Sequence, residues 1–430
     1  MGQAHWQGLH KRWRLALRAA FGLLPRPVRF WLFRRLVDCD PAPDAKLVVK
    51  IAETQAELEA CFALLHDAYV SSGYMEPHPS GLRVTVYHAL PTTTTICALW
   101  DGKVVGTISM VREGIFGFPM QQAFDLAPVR AKGGQVAEVS ALAVHEDYRA
   151  SGGAILFPLL KFMYEYSTRY FDTQHLVIAV HPSRIEMYES LLYFERLPAN
   201  TVDSYDFANG APAIGATLDL RLAPEVFRRA YEFKPERQNL YAYFAERTLP
   251  HLKLPKRRYF VTNDPVLTPA LLDHFFNRRV PVLANMSVRK RELLHSIYDE
   301  AEFAAVLPPR TDMVTQHPMR RHQRYSIRLP AVLVMASEET DPVKLHVIEI
   351  SLNGCQAECS EILPLDRATR LSVQLGEHEH AVVRAVAVRR HAFERQVLYG
   401  FRIDQPDLAW QQCVTALEAG QTHGDLPQAA

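Results

Sequence analysis

The chain has 430 residues, 48% of them hydrophobic, and a net charge of +1. That length calls for two or three hydrophobic cores rather than one. The near-neutral balance excludes a chain that coats nucleic acid along its length, so basic functions must be local and no DNA partner is expected.

Six cysteines (Cys39, Cys61, Cys97, Cys355, Cys359, Cys413) include no C-x-x-C pair, so they read as reduced thiols of a cytoplasmic protein with no metal site. No uncharged apolar run reaches the roughly 18 residues that a membrane span needs. Residues 1–37 hold Lys11, Arg12, Arg14, Arg18, Arg26, Arg29, Arg34 and Arg35 and no acidic residue. Trp6, Leu9, Trp13, Leu17, Ala20 and Leu24 recur at helical spacing on one face, with Lys11, Arg14 and Arg18 on the other. This is the pattern of a helix lying on an anionic membrane, here its inner face, and the alternative is a helix docked on the protein's own core or on a partner. Val28 to Leu36 repeats the theme beyond Pro25-Arg26-Pro27. A secretory leader is not expected, because Arg14 and Arg18 interrupt the apolar stretch.

After a linker from Asp38 to Lys46, Leu47 to Ile51 reads as a strand, and Thr54 with Glu57 forms a capping box for the next helix. Asp101-Gly102 between Thr95–Trp100 and Val104–Val111 marks a hairpin. A further strand, Ala137 to Val144, leads into the turn Arg149-Ala-Ser-Gly152-Gly153-Ala154 and an apolar helix from Ile155 to Phe171. A helix start so poor in side chains presents outward N–H groups and the positive end of the helix dipole, which suits a phosphate. It is neither a Walker loop nor a dinucleotide fingerprint, since no Gly-Lys-Ser/Thr and no Gly-x-Gly-x-x-Gly is present. His175 to Val180 is a buried strand closed by His181-Pro182, a helix runs from Arg184 to Leu192, and two strands are expected around Tyr205–Phe207 and Ala213–Leu220, joined by Asn209-Gly210.

Glu138-Val139-Ser140, the Arg149–Ala154 turn, Val180-His181-Pro182 with Tyr188 beyond it, and Asn209 to Ala213 resemble the N-acyl amino acid synthase branch of the GNAT acyltransferases over roughly Leu47 to Leu222. The resemblance implies an α/β acyltransferase fold that joins a long-chain acyl group, carried as a thioester on acyl carrier protein or coenzyme A, to an amino acid. Two departures stand out. Tyr193 occupies a position where the family writes glycine, and Ala141 follows the Glu-x-Ser where autoinducer synthases tend to have arginine, which argues against homoserine-lactone chemistry.

Within that resemblance Glu138 is the expected base for the amine, with a strand-end glutamate paired to a surface arginine as the alternative reading. Tyr188 is the expected proton donor to the leaving thiolate, or else a core tyrosine. His181 is a second base or a contact for the acceptor carboxylate, or else structural. Backbone groups of Ala143, Val144 and His145 would hold pantetheine as an added strand, and Arg149 with the Gly152, Gly153 and Ala154 amides its phosphate. No covalent cofactor is expected.

Phe227 to about Pro309 shows helical stretches at Gln238–Arg247, Pro269–Phe276 and Ser287–Phe303 and reads as an α-rich extension. Past Pro308-Pro309, Arg320-x-x-x-Arg324, Glu349-x-Ser351-x-x-Gly354 and Leu398–Ile403 resemble a PilZ domain over roughly Met319 to Ala416. Such a domain is a six-stranded antiparallel β-barrel that binds cyclic di-GMP through Arg-x-x-x-Arg and Asp/Asn-x-Ser-x-x-Gly; Glu349 departs from the usual Asp or Asn, and a barrel that no longer binds nucleotide is the alternative.

The expected architecture is thus α+β and multidomain: a basic N-terminal segment (1–44), an acyltransferase (45–225), an α-rich extension (226–315) and a barrel (316–425). The expected function is N-acyl transfer regulated by cyclic di-GMP, with acyl carrier protein as partner. The rival is a non-catalytic cyclic di-GMP effector that uses the acyltransferase fold to bind a carrier protein or lipid.

Overall fold

The computed structural model describes residues 24–114, 116–149, 151–171, 173–255, 267–298, 301–309, 325–335, 341–376, 378–392 and 397–418. Helix α1 (Arg26–Arg35) begins after Pro25 with Pro27 in its first turn, where the missing N–H costs nothing. β1 (Leu47–Ile51) precedes α2 (Gln55–Ser71), which starts on the expected capping box: Glu57 N–H donates to the Thr54 hydroxyl (3.2 Å) and Thr54 N–H to the Glu57 carboxylate (3.2 Å). β2 (Thr93–Trp100) and β3 (Lys103–Arg112) form the hairpin, with Asp101 and Gly102 at φ +51° and +77°, as a type I′ turn demands. Then come β4 (Gln135–Val144), α3 (Leu156–Phe171), β5 (Thr173–Val180), α4 (Pro182–Leu192), β6 (Glu195–Tyr205) and β7 (Ala211–Asp219).

These strands build one sheet in the order β6-β7-β5-β4-β3-β2-β1, and β8 (Leu252–Lys253) extends it parallel to β1. One face is covered by α3, α4, α5 (Ala223–Tyr231) and the segment through Phe244. The opposite face is covered by α2, the loops carrying Leu82–Leu90 and Phe118–Val129, and the later extension through Leu272, Phe275, Phe276 and Leu294 of α6 (Val288–Ile297). The extension therefore completes both cores and adds a strand, rather than forming a purely helical appendage.

The barrel strands β9 (Tyr325–Val334), β10 (Val343–Ser351), β11 (Gly354–Cys359), β12 (Ala368–Gln374), β13 (His380–Ala392) and β14 (Val397–Gln405) close in the order β10-β11-β14-β13-β12-β9, all antiparallel. Helix α7 (Leu408–Glu418) plugs it with Trp410, whose indole N–H donates to Ser351 O (3.1 Å). The expected fold class holds: a mixed α/β acyltransferase-like sheet followed by a closed six-stranded barrel.

Three local expectations differ. The strand expected at Tyr205–Phe207 ends at Tyr205, with Asp206–Ala208 a 3-10 turn, and β6 starts ten residues earlier than that expectation at Glu195. Its irregular alternation around Pro198 gave no strand signal, and its pairing with β7 slips register twice. The helix expected over Ser287–Phe303 is shorter, Val288–Ile297, with a separate 3-10 turn at Ala301–Phe303. The helix expected over Gln238–Arg247 is a π-helical turn at Ala242–Glu246.

α1 settles half of the N-terminal question. Arg26 pairs with Glu189 (2.7 Å), Arg29 with Glu186, and Arg34 donates to Ser190 O (3.0 Å), so these cations lie on α4. Trp31 remains outward, 53% exposed, with Arg35 over its ring. Residues 1–23, which carry the rest of the amphipathic pattern, lie outside the described residues. No helix among the described residues is long and apolar enough to cross a membrane.

Candidate functional site

The sheet opens at its centre. β4 and β5 pair only from Gln135–Thr173 to Glu138–Val177 and then part company, although both strands run on. A bulge contributes: Ala141 sits at φ +54° while β4 shifts register against β3, two residues facing one. The fork exposes unpaired backbone on both strands, a place for a ligand to be added as a strand.

On one face, beside the fork, lies a narrow apolar crevice of about 30 Å³, walled by Val139, Leu160, Met163, Ile178, Tyr188 and Phe227, among others. Every lining group is apolar or aromatic, so the crevice favours apolar atoms over polar ones.

Glu138 points to the other face. It is the last residue of β4 paired with β5, only 2% exposed, and its Oε2 accepts the Met120 N–H (2.9 Å). Burial pushes its carboxyl up to about 8, against the lowering effect of the Met120 hydrogen bond. It has no arginine partner among the described residues, so the surface ion-pair reading does not describe it. Tyr87 and Tyr205 sit close enough to feel its charge: burial first, then Glu138, lifts Tyr87 to about 12 and raises Tyr205 as well.

Tyr188 spans the two faces. Its ring lines the crevice and meets Phe194 edge-on (5.8 Å), while its hydroxyl is near Arg184 of its own helix and Tyr69 of α2, on the opposite face. Burial lifts it to about 12, with Arg184 opposing and Tyr69 adding. Its hydroxyl is therefore held neutral. His181 caps α4, its Nδ1 accepting from Ser183 N–H (3.2 Å), and stacks on Tyr74 (5.8 Å between centroids).

The glycine turn follows. Gly152 and Gly153 stand at φ +70° and +107°, and a Cβ on Gly153 would lie 2.4 Å from the Phe157 ring, so the turn is bare by steric necessity. The two glycine N–H groups have no partner among the described residues, and Ala154 N–H makes only a long bond to Ser151 O (3.3 Å). Arg149 is exposed and folds back, its Nε donating to Val144 O (2.8 Å). The His145 N–H is taken by Val105 O (2.8 Å), and Ala143 pairs with Thr107 of β3.

In the barrel, Ser351 ends β10, its hydroxyl donating to Gly354 O (3.0 Å), and a Cβ on Gly354 would lie 2.8 Å from Phe401 O. Glu349 follows a register shift in β10 that both neighbouring strands share. Arg320 and Arg324 lie outside the described residues.

Residues 60–219 match the family model described as N-acyl amino acid synthase FeeM, and residues 318–418 match that of the PilZ domain. The chain joins an N-acyl amino acid synthase domain to a PilZ domain. The first of these is an acyltransferase domain. Among solved structures, the N-acyl amino acid synthase FeeM from uncultured soil microbes is 25% identical over 42% of this chain and 93% of its own, with a TM-score of 0.35. The acyl-homoserine-lactone (AHL) synthase LasI is 15% identical over 41% of this chain and 93% of its own (TM-score 0.32). Escherichia coli YcgR, in complex with cyclic di-GMP, is 18% identical over 24% of this chain and 47% of its own (TM-score 0.21). Among curated proteins there is no match.

Around the synthase fork the structure adds residues that sequence reasoning passed over. Asp38, assigned to a linker, reaches the glycine turn: its Oδ2 lies 3.7 Å from where a Gly152 Cβ would be, and Arg237 holds it (2.6 and 3.0 Å). Tyr193, where the family writes glycine, is in the left-handed conformation glycine favours, φ +59°. That strain of about 1–2 kcal/mol is offset by its ring, which packs on Phe227 (6.1 Å) and Tyr231 (6.3 Å) beneath the Arg34 guanidinium (5.1 Å). Arg83 on the Glu138 face gave no motif at all.

Proposed function

We propose that the protein transfers a long-chain acyl group from an acyl carrier protein or coenzyme A thioester to the amine of an amino acid, under control of cyclic di-GMP bound to the PilZ domain. The observation that carries this reading is the fork itself, with an apolar crevice on one side, a buried carboxyl on the other and a tyrosine hydroxyl between. The pantetheine arm would lie along β4 with its phosphate at the Gly152–Gly153 amides, the acyl chain in the crevice and the amine beside Glu138. The amine nitrogen attacks the thioester carbon, Glu138 takes the nitrogen's proton and the C–S bond breaks. A carboxyl titrating near 8 suits that exchange. Tyr188, titrating near 12, is too weak an acid to give its proton up outright to a thiolate of ordinary pKa near 8.5. Its part is to donate a hydrogen bond to the departing sulfur, which is then protonated from Glu138 or solvent.

Purified protein supplied with palmitoyl-carrier protein or palmitoyl-coenzyme A and mixed amino acids should yield an amide detectable by mass spectrometry, with one thiol released per amide.

Regulation would run through a contact between the two domains. Gln135 opens β4 three residues before Glu138, and its side-chain amide donates to Arg328 O of β9 (3.3 Å), four residues beyond Arg324. Nucleotide bound by Arg320 and Arg324 would act on β9 and through it on the fork. Arginine forks bind phosphates bidentately. Replacing Arg320 and Arg324 together with alanine is expected to weaken cyclic di-GMP binding by about 100-fold or more, read by calorimetry. Unchanged affinity would remove the nucleotide from this account. Residues 1–37 would add contact with an anionic membrane, with Trp31 at its surface.

A further inference from the structure

Arg83 lies on the Glu138 face, in the loop after α2. Its guanidinium sits 3.9 Å from the centroid of the Tyr69 ring and 5.0 Å from that of Phe207, and it donates to Phe207 O (2.8 Å). It has no carboxylate partner among the described residues, whereas Arg26, Arg29, Arg130, Arg196 and Arg237 each have one. Its Nη1 also lies 3.9 Å from Met75 Sδ, and none of its nitrogens is a buried orphan.

The surroundings tie this cation to the fork. Tyr69, Tyr74, Arg83, His181, Tyr188 and Phe207 are all half-buried and form a rim, while Glu138, Tyr87 and Tyr205 lie buried beneath. Tyr74 meets Tyr69 (5.9 Å) and His181 (5.8 Å), and Phe207 meets Tyr205 (5.9 Å) and Tyr87 (6.4 Å). Tyr205 feels the charges of both Glu138 and Arg83, so it lies near each of them. A guanidinium clamped between two rings has few rotamers left, and its fork matches a carboxylate in two parallel hydrogen bonds. Leaving such a cation half-buried without an anion is costly unless a ligand brings one.

We infer that Arg83 is the residue that anchors the carboxylate of the amino acid acceptor. This rests on the acyl-transfer reading above. The carboxylate held by Arg83 leaves the α-amine directed towards Glu138, and the aromatic rim encloses the acceptor's side chain. Arg83 positions the acceptor and takes no part in proton transfer.

The test pairs two substrates with three variants. The wild-type enzyme is given an amino acid and the amine formed by its decarboxylation, and kcat and KM are measured for acceptor and donor. The wild type should favour the amino acid by about 30-fold or more. Arg83→Gln should raise the acceptor KM by a similar factor, bring that preference close to one, and leave donor KM and kcat within threefold. Arg83→Lys, which keeps the charge but loses the fork, should fall between, and Arg184→Gln, an exposed arginine of the same region, should retain the preference. The inference is overturned if the wild type accepts the decarboxylated amine equally well, which needs no variant, or if Arg83→Gln keeps the preference, or if Arg184→Gln is the variant that loses it. If the wild type acylates no amine of any kind, the acyl-transfer reading itself has failed and the inference falls with it.

Discussion

Glu138→Gln is expected to lower kcat for amide formation by about 100- to 10,000-fold, the usual worth of a positioned general base. The substitution keeps the shape and an oxygen to accept the Met120 N–H, so the local structure should stand. The wild-type pH profile carries a second signature. Because burial lifts the carboxyl to about 8, the base form accumulates only as pH rises through that value, and kcat/KM should climb towards a plateau above it. Stability should run the other way. Between an unfolded pKa near 4.5 and a folded one near 8, the native state holds a proton that the unfolded chain has released, so the contribution present below 4.5 is lost as pH rises, by up to about 1.4 kcal/mol per pH unit. Glutamine lacks this dependence. Thermal unfolding at a series of pH values should therefore show the variant gaining on the wild type from pH 5 to pH 8. A flat pH–rate profile together with an unchanged stability gap would remove Glu138 from the base role.

Met163→Trp should separate acyl chains by length. Met163 lies on α3, buried in the wall of the crevice between Leu160 and Tyr164. An indole there fills space that a long chain would use. Each methylene kept out of an apolar environment loses about 0.8 kcal/mol, so excluding four costs about 3 kcal/mol and lowers kcat/KM for a palmitoyl donor by about 100-fold. An acetyl or butanoyl donor, which reaches only the mouth, should change less than threefold. Overpacking will also cost about 1–3 kcal/mol of stability, read as a lower Tm, and this bears equally on both donors. Parallel losses for long and short chains would show that the crevice does not hold the acyl group.

Much of this arrangement was legible because its physics is local. Asp101-Gly102 dictates a hairpin, and Thr54 and Glu57 cap a helix by themselves. The barrel was readable from strand alternation and from motifs whose residue types match phosphate and guanine chemistry. What escaped depends on contacts distant in sequence. Ala141 and Tyr193 occupy left-handed conformations without the glycine or asparagine that signals them, held there by the β4 bulge and by packing on Phe227 and Tyr231. The arginines of α1 look like membrane-facing cations until the α4 carboxylates are seen opposite them. Glu138 stands out in the sequence by its place before the turn, but its burial and the tyrosines around it do not, and Arg83 became visible only through the absence of a carboxylate beside it among the described residues.

The most direct measurement is a single-enzyme reaction: purified full-length protein, palmitoyl-carrier protein, palmitoyl-coenzyme A and an equimolar amino acid mixture, with thiol release and amide product followed together, with and without cyclic di-GMP. The account requires an N-palmitoyl amino acid formed in step with free thiol, a rate altered by the nucleotide, and product from Glu138→Gln formed at least about 100-fold more slowly. Thiol release with no amide, or no turnover of either donor with any amino acid, would contradict it.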